Sequence, residues 1–276
     1  MTDRVDSDST FVGSIPQIYD QYLVPLIFEP YAIDLTTRLA RLAPSNILEL
    51  AAGTGVVTRR LALELPANVA LTASDLNQPM LDQAAAVGTR RPVSWRQADA
   101  LQLPFHDASF DAVVCQFGVM FFPDKPRAFA EARRVLKPGG ALIFNVWDRI
   151  ETNEFALMAT EALAGVFPGN PPRFMARVPH GYHDVAAIRS DLAAGGFTVE
   201  PTIETVAARS RAASARIPAI AYCQGTPLRS EIEARDPAML GAATAAVEAA
   251  LAGKFGTAAV DGGIQALVVS VSTQLA

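Results

Sequence analysis

Groups able to hold a nucleotide recur in the first half of the chain. Gly53, Thr54 and Gly55 follow the apolar run "NILEL", where small residues let a ligand approach the backbone. Asp75 ends the next apolar run, "NVALTASD", close to the roughly 20-residue separation at which an acid accepts hydrogen bonds from ribose hydroxyls. The ligand so implied carries a ribose without a 2′-phosphate. Asp99, in "QADALQLPF", ends a third run, and a carboxylate there can accept from the exocyclic amine of adenine. Taken singly, Asp75 and Asp99 are ordinary turn residues; in this order after Gly53 and Gly55 they point to a nucleoside lying across three strand ends.

Two common glycine loops fit less well. A P-loop needs Gly-Lys-Ser/Thr, and Val56 follows Gly55. A dinucleotide loop needs its third glycine at Thr58, where close helix-to-strand packing surrounds a pyrophosphate. Glu49 lies inside the first run. Buried carboxylates are rare unless paired, so it is either an internal anchor or a water-mediated contact to a cationic ligand group.

Histidine is the first candidate for a base. His106, in "PFHDASF", sits in a loop whose pattern is structural, whereas His180 and His183, in "VPHGYHD", end an irregular stretch that could cover a pocket. Asp184 reads as a helix N-cap. Tyr19, Tyr22, Phe117, Phe121, Phe122 and Trp147 could line an apolar or aromatic acceptor pocket, and Phe121 and Phe122 follow Gln116 closely. Cys115 reads as a core residue.

The positioning elements alternate. Strand-like "NILELA", "NVALTASD", "PVSWRQAD", "FDAVVCQF" and "GALIFNVWD" are separated by helical patterns at Val56–Leu65, Gln78–Val87 and Pro126–Leu136, which predicts βαβ units on a doubly wound, mostly parallel sheet. Pro66 ends one helix, Asp124 can cap another, and "KPGG" is expected to turn that helix into the fifth strand. In such sheets ligands bind beyond the carboxyl ends of the strands, where these candidates lie.

The expected organisation is a mobile tail over 1–12, an N-terminal helical cover over 13–45 interrupted by Pro25 and Pro30, and a nucleotide-binding core over 46–150. A cap insertion follows over 151–183. A core helix and the strand "FTVEPTIETVAA" fall within 184–213, an Ala-rich helical insertion within 214–258, and a final strand within 259–276.

The chain has 276 residues, 50% of them hydrophobic and 18% charged, as in ordered globular proteins. A net charge of −5 without a basic cluster argues against nucleic acid as a partner. Cys115 and Cys223 lack metal-ligand spacing, so no metal is expected. The polar, acidic start is unlike a signal peptide, and no apolar run reads as a membrane span, so a cytoplasmic location is expected.

The stretches "ILELAAGTG", "ASDLNQPMLDQA", "QADALQLPFHDASFDAVVCQFGVMFFPD" and "RVLKPGGALIFNVWD", in that order from Ile47 to Asp148, resemble the class I S-adenosylmethionine-dependent methyltransferases. The likeness is to the small-molecule branch that includes ubiquinone and menaquinone methyltransferases. It implies a Rossmann-like seven-stranded sheet with an antiparallel last strand and helical cap insertions.

The resemblance implies that Glu49, Ala51, Gly53, Thr54 and Gly55 surround the cofactor's methionine part and that Asp75 holds the ribose. It also puts Leu76 and Met80 beside the adenosine, has Asp99, Ala100 and Leu101 read the adenine, and lets Gln116 close the site near the transferred methyl. The implied reaction is direct displacement onto a small-molecule acceptor, with S-adenosylhomocysteine as product, and a homodimer is compatible with it. Ala51 stands where the family usually has glycine, and its methyl is tolerable there if the backbone stays at φ below zero. The competing readings are an NAD-dependent oxidoreductase and a catalytically silent module that binds S-adenosylmethionine.

Overall fold

The computed structural model describes residues 8, 9, 11 and 13–275. Most of the expected tail lies outside them; Asp8 is described, and its carboxylate accepts from Arg177 at 2.7 Å. The helices in chain order are α1 (Ile15–Ile18), α2 (Glu29–Arg41), α3 (Val56–Glu64), α4 (Gln78–Val87), α5 (Lys125–Val135), α6 (Glu154–Val166), α7 (Phe174–Arg177), α8 (Val185–Ala194), α9 (Arg216–Gln224), α10 (Leu228–Glu233) and α11 (Leu240–Phe255). The strands are β1 (Asn46–Leu50), β2 (Ala70–Asp75), β3 (Ser94–Gln97), β4 (Phe110–Gln116), β5 (Leu136–Trp147), β6 (Thr202–Ala212) and β7 (Val260–Ser272). They form one sheet in the order β3-β2-β1-β4-β5-β7-β6.

The chain divides into two compact units. One comprises Glu29–Val146, Tyr182–Val206 and Ala266–Ala276; the other comprises Met1–Phe28, Trp147–Gly181 and Ala207–Gln265.

In the first of these, β1 pairs in parallel with β2 and β4, β2 with β3, and β4 with β5. Near-continuous apolar runs suit strands covered on both faces: Ile47, Val114, Ile143 and Val268 meet Leu35 and Leu39 of α2 and Val57 and Leu61 of α3 in one buried cluster. The edge strand β3 is short and mostly exposed, which limits unwanted pairing. β7 runs antiparallel to β5, since Gly139 N–H donates to Gln274 O while Thr273 N–H donates to Gly140 O.

Two local expectations need correction. "KPGG" is not a turn: β5 begins directly at Leu136, and these residues lie inside it where the register with β4 shifts between Phe110 and Ala112. Gly139 absorbs the irregularity at φ +75°, as at a bulge. The strand expected from Phe197 starts later, at Thr202, because Phe197 N–H still closes the end of α8 onto Leu192 O. Asp124 and Asp184 do cap α5 and α8 through their side chains.

In the other unit, Pro25 does not interrupt helical structure but lies within a π-helical stretch, Tyr19–Phe28, the rare i→i+5 winding. Helices α6, α9 and α11 bury Phe155, Leu163, Tyr222, Val247 and Leu251. The helical stretch Pro237–Phe255, with mean hydropathy 1.2, is long and apolar enough by those measures alone to cross a membrane, a test that core helices also pass. It is rich in alanine, and Gln224 of α9 donates to Thr244 within it at 3.1 Å.

Candidate cofactor site

All twelve residues proposed for the cofactor lie in the unit that contains β1 to β4. The turn after β1 is built on left-handed backbone: φ is +50° at Ala51, +57° at Gly53 and +85° at Gly55. The condition set for Ala51, φ below zero, is therefore not met. A left-handed alanine costs about 1–2 kcal/mol, and glycine suits the position because it lacks that penalty. Space for the methyl comes from the turn after β4. A Cβ on Gly118 would fall 2.4 Å from the Ala51 Cβ, so the one missing side chain makes room for the other.

Asp75 ties β2 to this turn. It is 7% exposed; its Oδ2 accepts from Gly53 N–H and its Oδ1 from Asn77 N–H, both at 2.8 Å. Burial raises its pKa, opposed by these backbone donors. The carboxylate is thus fixed at a strand end, with lone-pair capacity beyond the two backbone bonds. Leu76, next in sequence, is 50% exposed, an apolar face that an adenine could cover, while Met80 is buried in α4.

Glu49 resolves toward the anchor reading. It is 3% exposed, and Thr58 Oγ1 donates to its Oε2 at 2.5 Å. Burial pushes its pKa up to about 8, although Thr58 and the nearby Arg59 favour the charged form. Thr58, noted in the sequence only as a missing glycine, has this definite task. Its hydroxyl occupies the place where a dinucleotide loop would bring helix and strand together.

Asp99 is exposed, and its Oδ1 accepts from Leu101 N–H at 2.9 Å, which shapes the loop carrying Ala100 and Leu101. α5 clamps that loop. Glu131 accepts from Leu103 N–H at 2.8 Å, and Arg134 donates to the Leu103 and Phe105 carbonyls at 2.9 and 2.8 Å. The hydrogen-bonded Arg134 guanidinium holds the Glu131 carboxyl below its usual range. Sequence reasoning missed this clamp, because a Glu and an Arg three residues apart on a helix read as an exposed pair.

Gln116 ends β4 beside Asn145 of β5. Phe117 then turns left-handed at φ +50°, unusual for a bulky residue, with its N–H held by Asn145 Oδ1 at 2.9 Å. Phe117 is 5% exposed and meets Tyr31 edge-on at 5.2 Å, a core contact, while Phe121 and Phe122 are half-buried. Asn145 was also missed; the signal for it is a lone carboxamide within the apolar run "ALIFNVW". His183 is exposed in this unit.

The other unit holds the remaining aromatic candidates. Tyr19 stacks on Phe28 at 5.0 Å, Phe28 meets Trp147 at 6.1 Å, and Trp147 meets His180 at 6.0 Å. Tyr22 is half-buried. His180 is 4% exposed with Nδ1 2.8 Å from Asp148 O. A carbonyl only accepts, so Nδ1 carries a proton, and in the neutral ring Nε2 carries the lone pair.

Comparison with known proteins shows what the chain is similar to. The family described as "Methyltransferase domain" matches residues 48–144. The demethylmenaquinone methyltransferase of Thermus thermophilus is 33% identical over 179 residues, which cover 61% of this chain and 80% of that protein. The chain belongs to the methyltransferase family. The ubiquinone/menaquinone biosynthesis C-methyltransferase UbiE of Rickettsia bellii is 40% identical to it over 106 residues, 36% of the chain and 43% of that protein.

Solved structures share the fold of this methyltransferase. The YcgJ protein of Bacillus subtilis has a TM-score of 0.56 at 16% identity, covering 90% of the chain and all of that protein. The [4+2]-cyclase SpnF has a TM-score of 0.53 at 21% identity, covering 88% and 81%. A cyclase on this fold means that fold alone does not fix the reaction.

The residues of this methyltransferase fit a nucleoside cofactor. Thr54 Oγ1, at the centre of the glycine turn, is buried with no hydrogen-bond partner among the described residues. A ligand seated on the turn would satisfy it. A Cβ at Gly55 would lie 3.1 Å from Trp95 and 3.2 Å from Ala84, so the turn sits against its own framework with glycine alone.

Proposed function

We propose that the protein transfers a methyl group from S-adenosylmethionine to a quinol-type small-molecule acceptor. The observation that carries the cofactor half is the Asp75 carboxylate, fixed between Gly53 N–H and Asn77 N–H at the end of β2. Asp75 accepts the ribose hydroxyls, Leu76 covers the adenine, and Asp99 reads its amine. Thr54 and the left-handed turn from Ala51 to Gly55 hold the methionine part, with Glu49 beneath them and Gln116 closing the site. When bound, S-adenosylmethionine supplies a methyl already activated on sulfonium, so the protein's main contribution is alignment.

The acceptor class is supported by the names of the relatives, a demethylmenaquinone methyltransferase and a ubiquinone/menaquinone C-methyltransferase. Thermal shift tests the cofactor: S-adenosylhomocysteine should raise the melting temperature and NAD should not. Stabilisation by NAD alone would overturn the proposal.

A further inference from the structure

Asn145 is 0% exposed, and its two amide atoms fare differently. Oδ1 accepts from Phe117 N–H at 2.9 Å, while Nδ2 is buried with no hydrogen-bond partner among the described residues. The bond to Oδ1 fixes the amide orientation: exchanging NH₂ for the oxygen would set two donors against each other and leave Phe117 N–H only its 3.2 Å bond to the Asn145 backbone O. A buried donor left unmade is costly, and native structures seldom keep one without a ligand or an ordered water.

Strand order says which part of a ligand lies nearest this position. Within the unit that contains them, β3, β2, β1, β4 and β5 are consecutive neighbours. In the proposed cofactor reading, adenine lies at the ends of β3 and β2, ribose at β2, the methionine part at β1 and the methyl near Gln116 of β4. Asn145 is the register partner of Gln116 on β5, one strand farther along that line. The next group beyond a transferred methyl is its acceptor.

We infer that Asn145 has two tasks: Oδ1 sets the Phe117 turn that positions Gln116, and Nδ2–H donates to an oxygen of the methyl acceptor. This rests on the methyltransferase reading above and adds a residue that orients the acceptor. A quinol-type ring offers such an oxygen beside the carbon to be methylated, and a donor there also favours its ionised form.

The test uses the full chain labelled with [¹⁵N]asparagine and follows the Asn145 side-chain amide signal, assigned by its loss in Asn145→Asp. S-adenosylhomocysteine is added first, then a naphthohydroquinone. The expected result is a downfield shift of one Asn145 amide proton on the second addition and little change on the first. A shift on S-adenosylhomocysteine alone would assign the donor to the cofactor and overturn the acceptor role. No shift with naphthohydroquinone would overturn it as well, whether the compound binds elsewhere or not at all.

Asn145→Asp keeps an oxygen for Phe117 N–H and loses the amide donor. It should raise KM for naphthohydroquinone by about tenfold or more, with affinity for S-adenosylhomocysteine within about twofold of wild type. Failure of the wild-type chain to bind S-adenosylhomocysteine would instead reject the cofactor reading itself.

Discussion

Gly118→Ala probes the contact that lets an alanine stand in the glycine turn. Gly118 has φ −99° and ψ −37°, a conformation any residue adopts, so the substitution adds no backbone strain. The new methyl would fall 2.4 Å from the Ala51 Cβ and 2.6 Å from Cys115 Sγ, far inside the roughly 3.5–4 Å of a favourable contact. Overpacking of this kind costs about 1–3 kcal/mol, and the reduced entropy of the unfolded chain returns about 0.4–1 kcal/mol. A net loss of about 1–2 kcal/mol follows, read as a lower urea midpoint at unchanged slope.

Ala51→Gly removes the nearer clash and also releases the left-handed strain at φ +50°. In the Gly118→Ala background it should therefore recover part of the loss, with a coupling of at least about 0.5 kcal/mol between the two sites. Because both residues flank the proposed methionine site, Gly118→Ala should also weaken S-adenosylhomocysteine binding. Additive effects, or a Gly118→Ala protein as stable as wild type, would refute the close packing of the two turns.

Glu49 makes a prediction about pH. Its folded pKa of about 8 exceeds its ordinary 4.5, so between those values the folded state holds a proton that the unfolded state releases. That contribution to stability is complete below the lower value and lost as pH rises through the upper one, at up to about 1.4 kcal/mol per pH unit. Glu49→Gln should remove the slope, and parallel urea midpoints for wild type and variant from about pH 5 to 8 would contradict the burial argument.

Much of the backbone framework of the candidate site was legible because its determinants are local. The apolar run before Ala51, the glycines at 53 and 55, and acids at 75 and 99 each follow a strand whose pattern can be read directly. What escaped depends on pairs brought together from distant segments. Ala51 at φ +50° is tolerable only against Gly118, 67 positions later, and the Leu103 loop needs Glu131 and Arg134 of α5. Thr58 was read as an absent glycine because a hydroxyl aimed at Glu49 is a tertiary fact. "KPGG" misled because glycine and proline serve a bulge as readily as a turn.

The central claim is that the ends of β1, β2 and β3 hold S-adenosylmethionine through Asp75, and calorimetric titration with S-adenosylhomocysteine tests it most directly. Wild type should bind one equivalent, and Asp75→Ala should bind about tenfold more weakly or worse, the worth of a buried carboxylate bonded to ribose hydroxyls. Equal affinity in the two proteins, or no binding to wild type, would contradict the account.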